Sequence, residues 1–358
     1  DGAVRGEGEA TLKELLDNLD SGGDLKGIKG LIFKEKGEII HNPPREEAMN
    51  LDEFPFPDRG ELSLDGYYTP GMVKGRTTTI ISSRGCPYRC LFCDVPRRYR
   101  TRSAENIVDE LQECIERYHI EEVQFIDDIF NVTPQRVNEI CDEILKRRLK
   151  VYWGCKASCD NVTFEMLKRA REAGCVRMHY GVETFTDRGL RALNKGKGVT
   201  IEQIKRVFFW TRKAGIKAVA YMIIGSPHEK SEEEILGVTK FIKALDPDYV
   251  VYSLFTPYPD PPIFKVGADL GLWQKDSWKK FMLKPREDFD LPTAWEQYLT
   301  KKELLKVFKS VNRAFYFSPR VIFKTLRSIR TFVELKRLIR AGMSLIQMLF
   351  LSAEKRRI

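Results

Sequence analysis

From about residue 75 onward the chain repeats one pattern: a short apolar, β-branched run, then a longer stretch with apolar residues at helical spacing. This alternation limits the fold more than any other feature, because strand, helix and strand in succession form the repeating unit of a parallel sheet covered by helices. The runs predict six strands, over 77–83, 122–127, 151–157, 176–183, 217–225 and 249–256. Between them, Ile107, Leu111, Cys114 and Ile115, then Val137, Ile140, Cys141 and Ile144, mark helix faces that bury one stripe. Ser103, Thr133, Thr163, Thr200 and Ser231 stand where hydroxyls cap helix starts.

The first 75 residues read differently. They predict a helix over 12–19, a Gly-rich stretch at 21–23, and two strands, 30–34 and 38–40, around a turn at Lys36 and Gly37. Pro43, Pro44, Pro55, Pro57, Tyr67, Tyr68 and Pro70 then give 42–75 the composition of a linker. The expected organisation is a small N-terminal piece (1–41), a linker (42–75), a barrel-like core (76–262) and a C-terminal basic helical region (263–358).

Where parallel strands end, the loops converge on one mouth, and chemistry collects there. The expected strand ends carry Cys86, Asp127 with Asp128, Cys155 with Lys156, Glu183, Gly225, and Thr256 with Tyr258. Cys86, Cys90 and Cys93 form a CxxxCxxC loop directly after the first strand. Soft thiolates match iron, and three ligands from one loop can grip three corners of a [4Fe-4S] cube, leaving one iron open to chelate an amino group and a carboxylate. A zinc site would want a fourth Cys or His in the same region, and the nearest His in sequence is His119, at an expected helix end. Asp127 and Asp128 are costly to bury without a partner, which favours a site role for them, and for Glu183, over simple capping or solvation. Cys155 and Cys159 read as packing thiols more readily than as ligands of a second cluster, and Cys114, Cys141 and Cys175 as core. Which of Cys155 and Lys156 faces the mouth is left open by the sequence.

Eight cysteines scattered over 358 residues argue against a disulfide framework and for reduced thiols or metal ligands in a cytoplasmic setting. No apolar run approaches the roughly 20 residues that span a bilayer. The net charge of +9 is concentrated at the C-terminus, where residues 301–358 hold 15 Lys and Arg against 3 Asp and Glu. Apolar positions at helical spacing there (Leu304, Phe308, Val311, Phe315; Leu335, Leu338, Ile339, Met343) predict amphipathic helices with a basic face, docked on the core or resting on an anionic membrane surface. Aromatics are not interleaved with these charges on one face, which argues against nucleic acid as a partner.

The loop Arg84-Gly85-Cys86-Pro87-Tyr88-Arg89-Cys90-Leu91-Phe92-Cys93 resembles the cluster loop of the radical S-adenosylmethionine (SAM) superfamily, including Phe92 just before the third cysteine. Phe125-Ile126-Asp127-Asp128 resembles the acidic segment that meets the SAM amino group. Tyr180-Gly181-Val182-Glu183-Thr184 resembles the segment whose carboxylate contacts SAM, Ile224-Gly225-Ser226-Pro227 the turn near the adenosine, and Thr256-Pro257-Tyr258-Pro259 the segment after the sixth strand. More narrowly, Arg5 to Glu9, Asn42-Pro43-Pro44 and Leu51 to Pro57 resemble the end of a cobalamin-binding domain leading into its barrel, as in B12-binding-domain radical SAM proteins.

The resemblance implies a partial (β/α)6 barrel, a remnant of an N-terminal α/β cobalamin-binding domain and a C-terminal helical tail. It implies Cys86, Cys90 and Cys93 as ligands of a [4Fe-4S] cluster, and Phe92, Asp127, Asp128, Glu183, Gly225, Pro227 and Tyr258 as the SAM-side residues. The implied activity is reductive cleavage of SAM to a 5′-deoxyadenosyl radical, for cobalamin-dependent methylation of an unactivated carbon or, alternatively, a cyclisation or rearrangement. A flavodoxin- or ferredoxin-type reductant and a small-molecule substrate, such as a lipid, tetrapyrrole or secondary metabolite, follow as partners. Nothing here matches the D-x-H-x-x-G motif of cobalamin domains, and residue 1 is Asp rather than Met, so cobalamin is expected on a longer protein rather than on this segment. His228, where the family commonly has Gly, and Asp260-Pro261, in place of Gly-Thr, put the shape of the substrate-side loops in question. A methylthiotransferase of tRNA would share the triad but also carry an extra N-terminal Cys triad and a C-terminal RNA-binding barrel, neither of which is seen. A non-catalytic iron-sulfur scaffold or electron-transfer module leaves the open iron and the acidic strand ends without a role.

Overall fold

The computed structural model describes residues 2–67, 75–196, 198–285, 292–329 and 332–350. Expectations for Tyr68, Pro70, and the end of the tail from 351 onward lie outside these. The chain divides into two compact units, one of residues 1–57 with 100–102 and one of 58–99 with 103–358. The break falls within the stretch expected as a linker.

In the first unit, strands β1 (Gly2–Val4), β2 (Leu31–Glu35) and β3 (Glu38–His41) pair antiparallel in the order β1-β2-β3. Helix α1 (Glu9–Ser21) ends at Gly22 in the left-handed conformation, and Leu15 packs on the small core of Ile28, Leu31 and Phe33. Strand β1 was not expected; three residues carry too little pattern to register. Arg100 is held in this unit by a buried fork to Glu7 at 2.6 Å and by the Ala48 carbonyl.

The second unit is built on β4 (Arg76–Ile80), β5 (Ile120–Phe125), β6 (Tyr152–Ala157), β7 (Cys175–Glu183), β8 (Lys217–Ile224) and β9 (Tyr249–Leu254). All pair in parallel and in chain order, so the sheet is a curled half-barrel. Helices α2 (Ala104–Tyr118), α3 (Pro134–Lys146), α4 (Phe164–Glu172), α5 (Asp187–Ala192), α6 (Ile201–Lys213) and α7 (Glu232–Leu245) lie between strands. The six expected strands and their intervening helices are all present, with Ser103, Thr133, Thr163, Thr200 and Ser231 each accepting from a backbone N–H in the first turn.

Alternation along the strands sorts the side chains. Val123, Phe125, Trp153, Cys155, Met178, Tyr180, Ala220, Met222 and Val250 are buried in the core between sheet and helices. Cys114, Cys141 and Cys175 lie in that core as well, and Cys159 packs there as a buried free thiol. The alternate positions, among them Gln124, Lys156, Arg177, His179 and Tyr221, belong to the inner face of the sheet. Lys156 is exposed there while its neighbours Cys155 and Ala157 are buried, which answers the question the sequence left open.

After β9 come α8 (Pro262–Asp269), α9 (Ser277–Leu283), α10 (Lys301–Tyr316), α11 (Pro319–Ser328) and α12 (Phe332–Phe350). Helix α10 starts with a reciprocal capping box between Thr300 and Glu303 and buries Leu304, Val307, Val311 and Phe315 against the barrel core. Among the described residues no helix is long and apolar enough to cross a membrane.

Candidate active site

The loop that follows β4 brings Cys86, Cys90 and Cys93 together above the sheet. Gly85 stands at φ 79°, and a Cβ there would lie 2.1 Å from the Arg98 carbonyl oxygen, so the chain can double back only through glycine. The Cys86 N–H donates to the Pro96 carbonyl at 2.8 Å. Arg97 clamps the loop from within, donating to the Tyr88 carbonyl at 2.7 Å and the Cys93 carbonyl at 2.6 Å. Outside contacts fix it further: Leu91 N–H to the Leu193 carbonyl at 3.0 Å, and the Asn194 amide to the Arg89 carbonyl at 2.7 Å. Phe92 packs between two small clusters, one with Tyr88, Cys90 and Ile129, the other with Phe255 and Trp295.

All three sulfurs are free thiols. Burial pushes the Cys86 thiol up; the Tyr88 N–H opposes this, the nearby Cys93 and Cys90 add to it, and Lys195 draws it down. Three close thiols with a cation beside them suit a cluster whose bound irons replace the thiol protons. The residues present therefore fit a [4Fe-4S] cluster.

The neighbouring strand ends brace this loop. Asp127 is buried, and its Oδ1 accepts from the Ser82 N–H (2.9 Å), the Ser82 hydroxyl (2.9 Å) and the Ser83 hydroxyl (2.6 Å). Burial pushes its carboxyl up, against those hydrogen bonds and the Arg136 charge, and Oδ2 has no partner. Asp128 is exposed and accepts from the Gly85 N–H at 3.0 Å. The two carboxylates thus hold the segment leading into the cysteines.

Glu183 ends β7 at φ 66°, in the left-handed region, and its Oε1 pairs with Lys195 Nζ at 2.9 Å. Burial works against the Lys195 charge, but the Glu183 carboxylate and the Cys90 sulfur outweigh it and raise the pKa of Lys195. A Cβ at Gly181 would lie 2.5 Å from Glu183 Oε1 and 2.8 Å from Lys195 Nζ, so the missing side chain makes room for the pair. Gly225 follows β8 at φ 77°, and its N–H and that of Ser226 both donate to Glu229 Oε2 at 2.8 Å. Pro227 lies within that turn, and His228 meets the Thr184 hydroxyl at 3.1 Å. Tyr258 is exposed and lies beside the Trp278 ring. The triad, Phe92, the two aspartates, Glu183 and Lys195 are tied together by these contacts, which do not extend to Pro227 or Tyr258. Lys195, Arg97 and Glu229 were missed by sequence reasoning, since a lone Lys, Arg or Glu in a loop carries no spacing signal.

A model of the radical SAM superfamily matches residues 80–242. A protein of Pyrococcus horikoshii named as an uncharacterized methyltransferase is 33% identical over 344 residues, covering 95% of this chain and 72% of that protein. The chain belongs to the radical SAM superfamily. The anaerobic magnesium-protoporphyrin IX monomethyl ester cyclase of Rubrivivax gelatinosus is 28% identical over 278 residues, 75% of this chain and 49% of that enzyme. Among solved structures, the cobalamin-dependent SAM radical enzyme OxsB with aqua-cobalamin and SAM bound aligns at a TM-score of 0.65 and 20% identity, over 96% of this chain and 55% of that one, a likeness of fold. The chain spans about half the length of the cyclase and of OxsB. A radical SAM enzyme works with a [4Fe-4S] cluster and SAM, and membership sets aside the reading of the chain as a non-catalytic scaffold.

Proposed function

We propose that this radical SAM chain is the catalytic part of a cobalamin-dependent methyltransferase acting on an unactivated carbon of a small molecule. The observation that carries the reading is the 33% identity, over nearly the whole chain, to a protein named a methyltransferase. When bound, the cluster would supply the electron that cleaves SAM, and cobalamin the methyl group. In this reading Cys86, Cys90 and Cys93 hold three irons, and Arg97 fixes their loop from within. Asp127 and Asp128 orient that loop through the Ser82, Ser83 and Gly85 contacts, with Asp128 exposed toward the SAM amino group. Glu183, held by Lys195, positions SAM, while Gly225 and Pro227 shape its adenosine side and Phe92 and Tyr258 close the rim.

Cyclisation is a second reading, favoured by the 28% identity to the Rubrivivax cyclase. Anaerobic turnover with SAM carrying a deuterated methyl group separates the two: methylation adds that methyl to the product, and cyclisation does not. Eight free thiols suit a reducing compartment, so we place the enzyme in the cytoplasm, with a flavodoxin or ferredoxin as reductant. Helix α11 exposes Ile322, Phe323 and Leu326 beside Arg327, while Arg320 and Lys324 pair with Asp246 and Asp248; the exposed apolar stripe supports peripheral contact with a membrane and hence an apolar substrate.

A further inference from the structure

The inner face of the sheet carries a polar set that the cofactor residues do not use. Arg177 and Glu122 are both about 1% exposed and pair at 2.8 Å, and Arg177 also reaches Gln124 at 3.2 Å. Arg177 Nε donates to His179 Nε2 at 3.1 Å. A guanidinium only donates, so Nε2 is the acceptor and the ring proton of neutral His179 sits on Nδ1. Nδ1 therefore donates to the Tyr221 hydroxyl oxygen, 3.0 Å away. The Tyr221 O–H is left to donate outward, at the end of a chain that begins at a buried ion pair.

Lys156 is register-paired with His179 on the next strand; burial, then the Arg177 charge, hold the His179 pKa down, and the Lys156 charge adds to them. It is exposed on the same face and has no ion-pair partner among the described residues. At the neighbouring strand ends, Ile81 and Ile126 are exposed large apolar side chains. An ammonium and a hydroxyl donor thus stand on one face, without an acceptor among the described residues, next to apolar surface.

We propose that Lys156 and Tyr221 form an anion-binding site on the inner face of the half-barrel, which holds an acidic group of the substrate, a carboxylate or a phosphate, while its apolar body lies toward Ile81 and Ile126. This rests on the radical SAM reading for its placement beside the reacting centre. Lys156 supplies charge, and Tyr221 supplies a directed hydrogen bond whose direction the His179 tautomer sets.

The test uses the full chain, cluster-loaded and kept anaerobic, with inorganic phosphate or acetate as probe and chloride as the ionic-strength control. Lysine acylation is mapped by peptide mass, with exposed Lys302 as reference. One or both anions should slow acylation of Lys156 at least fivefold while chloride leaves it unchanged, and Tyr221→Phe should raise the half-protecting concentration several-fold. Stronger protection by phosphate assigns a phosphorylated substrate, and stronger protection by acetate a carboxylic acid. The proposal is overturned if neither anion protects Lys156 beyond chloride, if Tyr221→Phe changes nothing, or if SAM alone shields Lys156 fully and so places its own carboxylate there. Formation of 5′-deoxyadenosine, assayed in the same preparation, tests the parent reading separately: protection without SAM cleavage keeps the anion site and rejects the radical chemistry.

Discussion

Glu183 combines a left-handed backbone, burial and an ion pair with Lys195. A non-glycine residue is held in that conformation only when its surroundings enforce it, and such strain gathers at functional sites. Removing the cation leaves a buried carboxylate unpaired, so Lys195→Met should cost about 3 kcal/mol by urea denaturation and also lower SAM cleavage. Glu229 answers to pH. Burial lifts its carboxyl to about 7, against the Ser226 and Gly225 N–H groups and the Arg188 charge. A raised carboxyl pKa means that the stability of the protonated form is fully present below the ordinary value of 4.5 and is lost as pH climbs through about 7. Glutamine mimics the protonated acid, so Glu229→Gln should gain about 2–3 kcal/mol relative to the parent between pH 4.5 and 8, measured by denaturation at each pH. The cysteine triad was legible from sequence because its three thiols sit within one short loop. The partners Lys195 and Glu229 were not, because tertiary folding alone brings them to the site.

At the scale of elements, the six strands and five hydroxyl caps could be read because local chemistry sets them: β-branched runs for strands, and oxygen acceptors for orphan N–H groups at helix starts. Ser231→Ala should cost about 1 kcal/mol, visible as a lower Tm. The inner-face polar residues were harder to interpret. Strands of a fully covered parallel sheet are apolar on both faces, and Gln124, Lys156, Arg177 and His179 depart from that because one face borders a lumen. Gly85 makes the sharper test. Its φ of 79° and the Arg98 carbonyl beside it leave no room for a side chain, so Gly85→Ala should distort the cysteine loop and leave reconstituted protein with much less than its full iron, while far-UV circular dichroism stays near that of the parent.

For the whole molecule, the βα alternation was enough to anticipate a parallel sheet in chain order, because right-handed crossovers place each strand beside its predecessor. The basic tail was visible as charge, and the stripe of Leu304, Val311 and Phe315 anticipated that its first helix docks: α10 lies on the barrel core through these residues and Val307, which the stripe had not included. If α11 rests on anionic lipid, Phe323→Ser with Leu326→Ser should cut sedimentation with phosphatidylserine vesicles several-fold without changing SAM cleavage in solution. The central claim is the chemistry of the triad. After anaerobic reconstitution with iron and sulfide and reduction by dithionite, 5′-deoxyadenosine released from SAM is the quantity to measure, with Cys90→Ala beside the parent. The account predicts release by the parent and none by the variant. A folded parent that loads a cluster yet releases no 5′-deoxyadenosine, or equal release by both proteins, would contradict it.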